Sequence, residues 1–570
     1  MKHWRLNVVL FFIIVVAAGI VARLFFLQVL NHKFYQSQAL GQQAGFQEVV
    51  GNRGKIFLED SKGSKGSQGT QESSSLALNQ TTWNVSVVPK NIKDIKAITE
   101  GLAPIIGDSV KTIAAKIEKS DSYIVIKKGV GDKELAAIKA LNLAGVQWEE
   151  VPARYYPQKN FAAQVAGFVG GNGEGQYGLE GYYEDILKGK EGLAEEKAGL
   201  GAIGASQQSA SELDGSDIYA TIDYNIQFQA EALLKQAYQD FSIDSGQIIV
   251  LKPDSGRVVA LANFPSFDPN KYGQEKGLEV FQNGAVQKLF EPGSIFKPFT
   301  MAMALEDGKV SPETTFTDKG SVTIGPDTIY NFDHEKYGLR DMSGILEKSI
   351  NTGAVFLEQL VGREKFAQHI DDYGFSEKTG IDLQGEVSSR NDALKKGSNF
   401  GFATASFGQG IQMTPIQLAR SFSIFANGGR LPKVFIADKI IHGTDEQDTK
   451  TQLSKQVISQ KTADEVTKML INVVERGFGS GARINGYWLA GKTGTAEVPL
   501  TTKKGYYQDR TVQSFIGFGP ALKPQFLILV KLDNPKVPKS SLSAAPIFKK
   551  LAQYIIDYWQ IPPDYDPNAK

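Results

Sequence analysis

The feature that most constrains this chain is an unbroken apolar run near its start. Leu6 to Leu30 reads LNVVLFFIIVVAAGIVARLFFLQVL and carries one charge, Arg23. Roughly 20 apolar residues in a helix cross a hydrocarbon core, so the run predicts a transmembrane anchor over residues 7–30. Lys2, His3 and Arg5 precede it, which places residues 1–6 in the cytoplasm as a short tail. Arg23 lies near the far end, where its side chain can snorkel to the headgroups. A cleaved signal peptide competes with this reading, but the run is long for one and lacks a small-x-small cleavage site. No second run of comparable length occurs. A single-pass protein of the bacterial cell (inner) membrane is therefore expected, with everything after residue 30 folding outside the cytoplasm.

Composition narrows the chemistry. Lys plus Arg and Asp plus Glu both number 62, so no electrostatic case exists for a nucleic-acid partner. There are no cysteines, which excludes disulfides, thiolate metal sites and cysteine nucleophiles. The five histidines, at 3, 32, 334, 369 and 442, have no metal-ligand spacing. Neither a metal nor a cofactor is expected.

Along the chain, two folded regions are expected after the anchor. Residues 31–220 read as mixed α/β. A juxtamembrane helix from Asn31 to about Gln47 precedes a flexible Gly/Ser/Lys-rich loop, Ser61–Ser75. Trp83–Val88 alternates as a strand, Asn91–Lys119 is helical with a break at Gly107-Asp108, Ser122–Lys128 is strand-like, and Asp132–Leu143 is helical. This region holds no catalytic constellation. Residues 221–560 begin with a helix, Tyr224–Phe241, and a hairpin, Ser245–Lys252 with Arg257–Asn263. Many helices follow, then apolar strands Val512–Phe518 and Phe526–Leu532, a closing helix Ala545–Trp559, and a polar tail over 561–570. A helix, a hairpin, helices and further strands imply an α+β fold with a helical insert.

The reactive stretch is Glu291-Pro292-Gly293-Ser294-Ile295-Phe296-Lys297-Pro298, which holds the only S-x-x-K in the chain. Residues three apart on a helical turn share a face, so the Lys297 amine can serve the Ser294 hydroxyl. A serine is a weak nucleophile until a base takes its proton, and a desolvated or cation-crowded lysine can be that base. Downstream, Ser349-Ile350-Asn351 places a hydroxyl and an amide on a tight loop between helices Ser343–Ser349 and Ala354–Leu360. Lys492-Thr493-Gly494-Thr495 sits in an expected edge strand, Tyr487–Val498, with Gly494 leaving room for a ligand against the backbone. Lys378-Thr379-Gly380 and Ser389-Arg390-Asn391 repeat two of these patterns, in polar stretches expected to be surface turns.

S-x-x-K, S-x-N and K-T-G in this order, separated by 55 and 143 residues, resemble the penicillin-binding transpeptidases of the class B, monofunctional type. The likeness covers nearly the whole chain. Arg53-Gly54, Arg154-Tyr155-Tyr156-Pro157 and Gly178-Leu179-Glu180-Gly181 match that family's elongated pedestal, or dimerisation, domain. Pro265-Ser266-Phe267-Asp268-Pro269-Asn270, Gly408-Gln409-Gly410, Thr414-Pro415 and Asn427-Gly428-Gly429 match its transpeptidase domain. The resemblance implies a serine β-lactamase-like fold, an antiparallel five-stranded sheet with a helical subdomain. It implies a D,D-transpeptidase that cross-links peptidoglycan stem peptides through an acyl-enzyme on Ser294 and is inhibited by β-lactams. Lys297 would be the base; Ser349 and Asn351 would relay protons and orient the peptide. Lys492 would add positive potential, while Thr493, Gly494 and Thr495 would hold the substrate carboxylate. The middle residue of S-x-N, Ile350, departs from the Asp common in β-lactamases, and the Ser61–Ser75 tract looks like an insertion.

Other readings stay open on the residues alone. A D,D-carboxypeptidase or β-lactamase uses the same fold with water as acceptor, yet usually lacks a pedestal, and no Glu-x-x-Leu-Asn deacylation motif follows Ser349. A membrane β-lactam sensor would carry several spanning helices. A catalytically weak scaffold of a wall-synthesis complex would keep the fold without being labelled by a fluorescent penicillin. No room exists for a glycan-polymerising domain, so by resemblance a separate membrane glycosyltransferase of the SEDS type is the expected partner. Elongation and division, and with them cell shape or septum, are not distinguished by these residues.

Overall fold

The computed structural model describes residues 4–26, 28, 46–59, 75–119, 123–195, 213–332, 334–449, 454–500 and 505–566. All of the expected 61–75 loop except Ser75, which instead opens a strand, and most of the expected juxtamembrane helix lie outside these residues. Phe46 and Gln47, expected to end that helix, instead open a strand, Phe46–Val50, antiparallel to Glu191–Glu195. Trp4–Phe25 forms one helix, α1, of 22 residues. Side chains at several α1 positions lie outside the described set, and among the described residues no helix is long and apolar enough to cross a membrane. The chain divides into two compact units. One comprises Met1–Gly54, Asp185–Ser216 and Ile441–Asp445, the other Lys55–Glu184, Asp217–Ile440 and Glu446–Lys570.

The second unit begins with β1 (Ile56–Phe57) and the long strand β2 (Ser75–Val87). Helix α2 (Ile95–Ile106) starts at Asp94, whose carboxylate accepts from the backbone N–H of Lys96 and Ala97 at 2.9 and 3.0 Å. That cap satisfies two donors that a helix start leaves open. The helix stops at Gly107, φ +73°, where only a residue without Cβ adopts the left-handed turn cheaply. Helix α3 (Val110–Ile117), β3 (Ile124–Val130), α4 (Asp132–Ala140) and β4 (Val146–Tyr155) follow. Strand β2 pairs antiparallel with both β3 and β4. Their inward residues, Val85, Val87, Ile126 and Val130, meet Ile98, Leu102, Ile113 and Leu135 of the helices in one apolar core. Strand β4 escaped the sequence reading because VQWEEVPARY has two acids and a proline in place of apolar alternation. Its ladder with β2 supplies what the side chains do not.

Three of the motifs singled out in the sequence meet in one joint. The Arg154 Nε donates to Glu180 Oε1 at 2.6 Å, with the two side chains 4 % and 0 % exposed. Arg154 Nη1 donates to Asn79 Oδ1 at 2.9 Å, and Tyr156 Oη to Glu180 Oε1 at 3.2 Å. Glu180 lies in helix α5 (Gly178–Tyr182). From the third motif, Asn270 reads the backbone of Tyr156 with both ends of its amide, accepting from its N–H at 2.9 Å and donating to its carbonyl at 2.8 Å. These spacings are a buried polar clamp, not a catalytic site.

Strand β5 (Asp217–Ala220) runs parallel to β1 and leads into α6 (Tyr224–Phe241), capped by Asp223. The sheet that follows has five antiparallel strands: β6 (Ser245–Leu251), β7 (Val258–Phe264), β8 (Ala490–Pro499), β9 (Tyr506–Gly519) and β10 (Phe526–Asp533). Their order is β7-β6-β10-β9-β8. Between β7 and β8 the chain adds α7 (Lys297–Glu306), α8 (Met342–Glu347), α9 (Asn351–Val361), α10 (Pro415–Ala426) and α11 (Gln460–Arg476). Two small hairpins, between Thr315 and Asp341, intervene. One sheet face, with Ile248, Val250, Phe515, Ile528 and Val530, packs on α6 and the closing helix α12 (Ala544–Tyr558). The other faces α10, which is buried at every position but Arg420. Its polar residues are matched inside the core: Ser421 Oγ donates to the Tyr373 carbonyl at 2.6 Å and Gln417 Nε2 to the Glu377 carbonyl at 2.6 Å.

Removing one partner of a buried ion pair strands the other charge, typically at a cost of about 3–5 kcal/mol. Glu180→Ala is therefore expected to lower the unfolding midpoint in urea by a corresponding amount. A change below about 1 kcal/mol would show that the clamp is not structural.

Candidate active site

Ser294 is placed by close backbone approaches. Gly293, φ +59°, opens a 3₁₀ turn, Gly293–Phe296, that passes directly into α7 at Lys297. In such a turn residues three apart eclipse one another, which puts Ser294 and Lys297 on one side. Gly293 N–H donates to the Gly408 carbonyl at 3.0 Å, and a Cβ on Gly408 would collide with the Gly293 backbone. On β8, a Cβ on Gly494 would stand 2.9 Å from the Pro292 carbonyl and 2.6 Å from Ser514 Oγ. Gly494 was expected to admit a ligand. Its bare backbone also admits the serine turn, because a side chain there would point inward at that turn.

The two lysines converge on one hydroxyl. Lys297, 1 % exposed, donates through Nζ to Ser349 Oγ at 3.1 Å and also to the Ser349 carbonyl. Lys492, 0 % exposed, donates to the same Oγ at 3.0 Å and to the Thr493 carbonyl at 3.2 Å. Ser349 turns both its oxygens to Lys297 because its backbone is left-handed, φ +53°, at the junction of α8 and α9. That conformation is unusual for a residue with a Cβ and costs on the order of 1–3 kcal/mol, which the packed helices on either side enforce. Burial pushes the Lys492 amine down to about 7, because a charged ammonium loses its hydration there. Burial thus works against the positive potential expected of Lys492.

Ser294, Ser349, Thr493 and Thr495 line one cavity, with Asn331, Phe332, Lys348, Phe478, Lys539, Ser540 and Ser541. Asn351 is not among them. It lines the adjoining cavity with Gln409 and Thr511, and its Nδ2 donates to the Tyr330 carbonyl at 2.9 Å. Asn331 and Thr495 line both spaces.

Several residues that matter here carried no signal in the sequence. Asn331 Oδ1 accepts from the backbone N–H of Asn351 and Thr352 at 3.1 and 3.3 Å, and Asn331 Nδ2 donates to Asp318 Oδ2 at 2.9 Å. Thr352 Oγ1 closes this second layer on Asp318 Oδ1 at 2.6 Å. Burial alone would raise the Asp318 carboxyl, but hydrogen bonds from Thr352, Tyr337, Gly320 and Asn331 outweigh it and hold the group below the usual carboxylate range. Ser540 lies 3.2 Å from Thr495 Oγ1 through its own hydroxyl. Asp318 and Asn331 sit on short polar hairpins with no distinctive spacing, so only the folded chain reveals them.

The duplicate motifs are turns, but not surface ones throughout. Thr379 and Asn391 are buried, 4 % and 7 % exposed. Thr379 donates through N–H and Oγ1 to Glu386 Oε1, each at 2.6 Å, and Asn391 Nδ2 donates to the Phe375 carbonyl at 3.2 Å. A polar stretch of sequence is buried here because its groups satisfy one another. Lys378 itself is exposed and lines neither cavity.

Known proteins resemble this chain in sequence and in fold. The Penicillin binding protein transpeptidase domain model matches residues 246–553, and the Penicillin-binding Protein dimerisation domain model matches 50–220. Stage V sporulation protein D of Bacillus subtilis (strain 168) is 33 % identical over 484 residues, 83 % of this chain and 75 % of that protein. "Probable peptidoglycan D,D-transpeptidase PenA" of Neisseria meningitidis is 30 % identical over 560 residues, 96 % of this chain and 92 % of that protein. Among solved structures, Penicillin binding protein 3 of Mycobacterium tuberculosis complexed with aztreonam shares the fold, with a TM-score of 0.69 at 24 % identity over 91 % of this chain and 98 % of that one. The chain belongs to the penicillin-binding protein transpeptidase family, with a dimerisation domain preceding the transpeptidase domain.

Proposed function

We propose that this protein is a serine-type D-Ala-D-Ala transpeptidase that cross-links peptidoglycan and is acylated by β-lactams. One observation carries the reading: a single hydroxyl, Ser349 Oγ, is held between two buried lysine amines in the cavity that Ser294 lines. Ser294 Oγ attacks the penultimate D-Ala carbonyl of a stem peptide while neutral Lys297 takes its proton. Ser349 passes a proton on to the departing terminal D-Ala amine, so the C–N bond breaks as the ester forms. An amine from a neighbouring stem then attacks the ester and returns the proton along the same path. Thr493 and Thr495 hold the substrate carboxylate, and the Ser294 and Thr495 backbone N–H groups face the oxyanion; losing one such donor typically costs on the order of 100-fold or more in rate. Asn351 orients the stem peptide from the adjoining cavity.

The protein works at the outer side of the cytoplasmic membrane, anchored by residues 7–30. The apolar sequence of α1, its 22-residue length, and the cations before it support that placement. Residues 31–220 act as pedestal and 221–560 as catalytic domain. The glycan strands are supplied by a separate membrane glycosyltransferase of the SEDS type.

Ser294→Ala is expected to abolish labelling by a fluorescent penicillin while leaving the melting temperature unchanged; labelling that persists would refute the assignment. Lys492→Met is expected to slow acylation by at least 100-fold and Lys378→Met by less than twofold, read as acylation rate constants. The opposite order would assign the catalytic role to Lys378-Thr379-Gly380 instead. The same Lys492 variant tests burial. Lys492 is depressed to about 7 in the fold and near 10.4 when unfolded, so between those values the unfolded chain binds more protons and stability rises with pH. Lys492→Met is therefore expected to stabilise the protein at pH 7, by roughly 2–4 kcal/mol, and to lose that advantage as pH approaches 10.

A further inference from the structure

At the sheet edge opposite β8, the cross-strand partners Gln247 on β6 and Asn263 on β7 are both polar and buried, 3 % and 8 % exposed. A buried amide is costly unless each of its polar atoms is matched. Two bonds fix how these amides are turned. Lys531 Nζ, on the next strand, donates to Gln247 Oε1 at 3.1 Å, and Asn263 Nδ2 donates to Asn283 Oδ1 at 3.1 Å. Asn263 Oδ1 and Gln247 Nε2 are thereby turned the other way, and Asn263 Oδ1 is buried without a hydrogen-bond partner. Gly284 marks the place on which they converge: a Cβ there would stand 2.7 Å from Gln247 Nε2 and 3.4 Å from Asn263 Oδ1. All three residues line a cavity of about 630 Å³, whose wall also carries Lys276, Lys288 and Glu279. Pockets of roughly 300–1,000 Å³ with a few fixed polar atoms are the usual form of a small-ligand site.

An acceptor beside a donor selects its complement. A trans peptide group points its N–H and C=O in opposite directions, whereas a primary carboxamide presents both at once. A carboxylate offers only acceptors and is repelled by Asn263 Oδ1. We propose that this cavity is a second binding site, distinct from the Ser294 cavity, for a primary carboxamide borne on a short peptide. The ligand NH₂ donates to Asn263 Oδ1 and its carbonyl accepts from Gln247 Nε2. The mixed charges of the wall suit a peptide that carries both a free amine and a free acid. The choice of an amidated stem peptide as carrier rests on the transpeptidase reading; the carboxamide preference does not.

The test is calorimetric binding of L-alanyl-D-isoglutamine against L-alanyl-D-glutamate, which differ only in carboxamide against carboxylate. Neither contains the D-Ala-D-Ala bond. The native protein is expected to bind the carboxamide at least tenfold more tightly. Gly284→Ala, which fills the convergence point without a change of backbone region, is expected to weaken that binding at least tenfold while penicillin acylation stays unchanged. Should Gly284→Ala fail to melt cooperatively, Gln247→Glu decides, since it keeps the oxygen that meets Lys531 and removes the donor. Equal binding of the two dipeptides, no binding of either at millimolar concentration, or binding that both variants leave intact would overturn the proposal. Failure of the catalytic reading would show separately, as absence of penicillin labelling.

Discussion

Two amines on one hydroxyl oxygen is the constraint that the rest of this domain serves. If both lysines were charged, their repulsion at this separation would amount to a few kcal/mol even at an effective dielectric near 20. Among the described residues, no acidic side chain lines the cavity to offset it. Burial already holds the Lys492 amine well below the usual lysine range, which favours its neutral form beside Lys297. That is what a serine needs beside it. The left-handed backbone of Ser349, the Asp318–Asn331–Thr352 layer behind it and the full burial of Lys492 all act to keep this geometry fixed.

Holding such a cluster shapes the sheet. The face toward α6 and α12 is mainly apolar, with Gln513 as a buried polar exception that accepts from Ser543 Oγ at the start of α12. The opposite face carries a row of directly paired residues, Gly494, Ser514, Lys531, Gln247 and Asn263, one from each strand. A row this polar lowers what burial contributes to stability, since each group needs a partner. The fold compensates with a helix, α10, that is buried nearly all round, and with the Arg154–Glu180–Asn270 clamp elsewhere in the same unit.

Much of this was legible from residue order because local signals and tertiary fate agreed. Helix Tyr224–Phe241 was bounded correctly, with Asp223 capping its start. The hairpin after it and the two late strands were each placed to within a residue or two at the ends where apolar alternation stops, although β9 begins earlier, at Tyr506. The reactive triad of motifs was visible since S-x-x-K depends on helical spacing alone. What stayed hidden depended on contacts between distant segments. Strand β4 exists through its ladder, Asp318 matters through a loop more than thirty residues away, and Gly494 makes room for the serine turn. The depressed amine of Lys492 could not be read from its neighbours in sequence, because burial is decided by the whole domain.

The serine turn is enclosed by backbone at Gly293, Gly408 and Gly494, where no side chain of any size fits. Heritable change in what this enzyme accepts is consequently barred from the inner wall. It is left to positions such as Phe332, Phe478, Lys539 and Ser541, which border the cavity without supporting the turn. A side chain at any of these three glycines would displace the turn that carries Ser294, so the shape of the rim can vary more freely than the reacting centre.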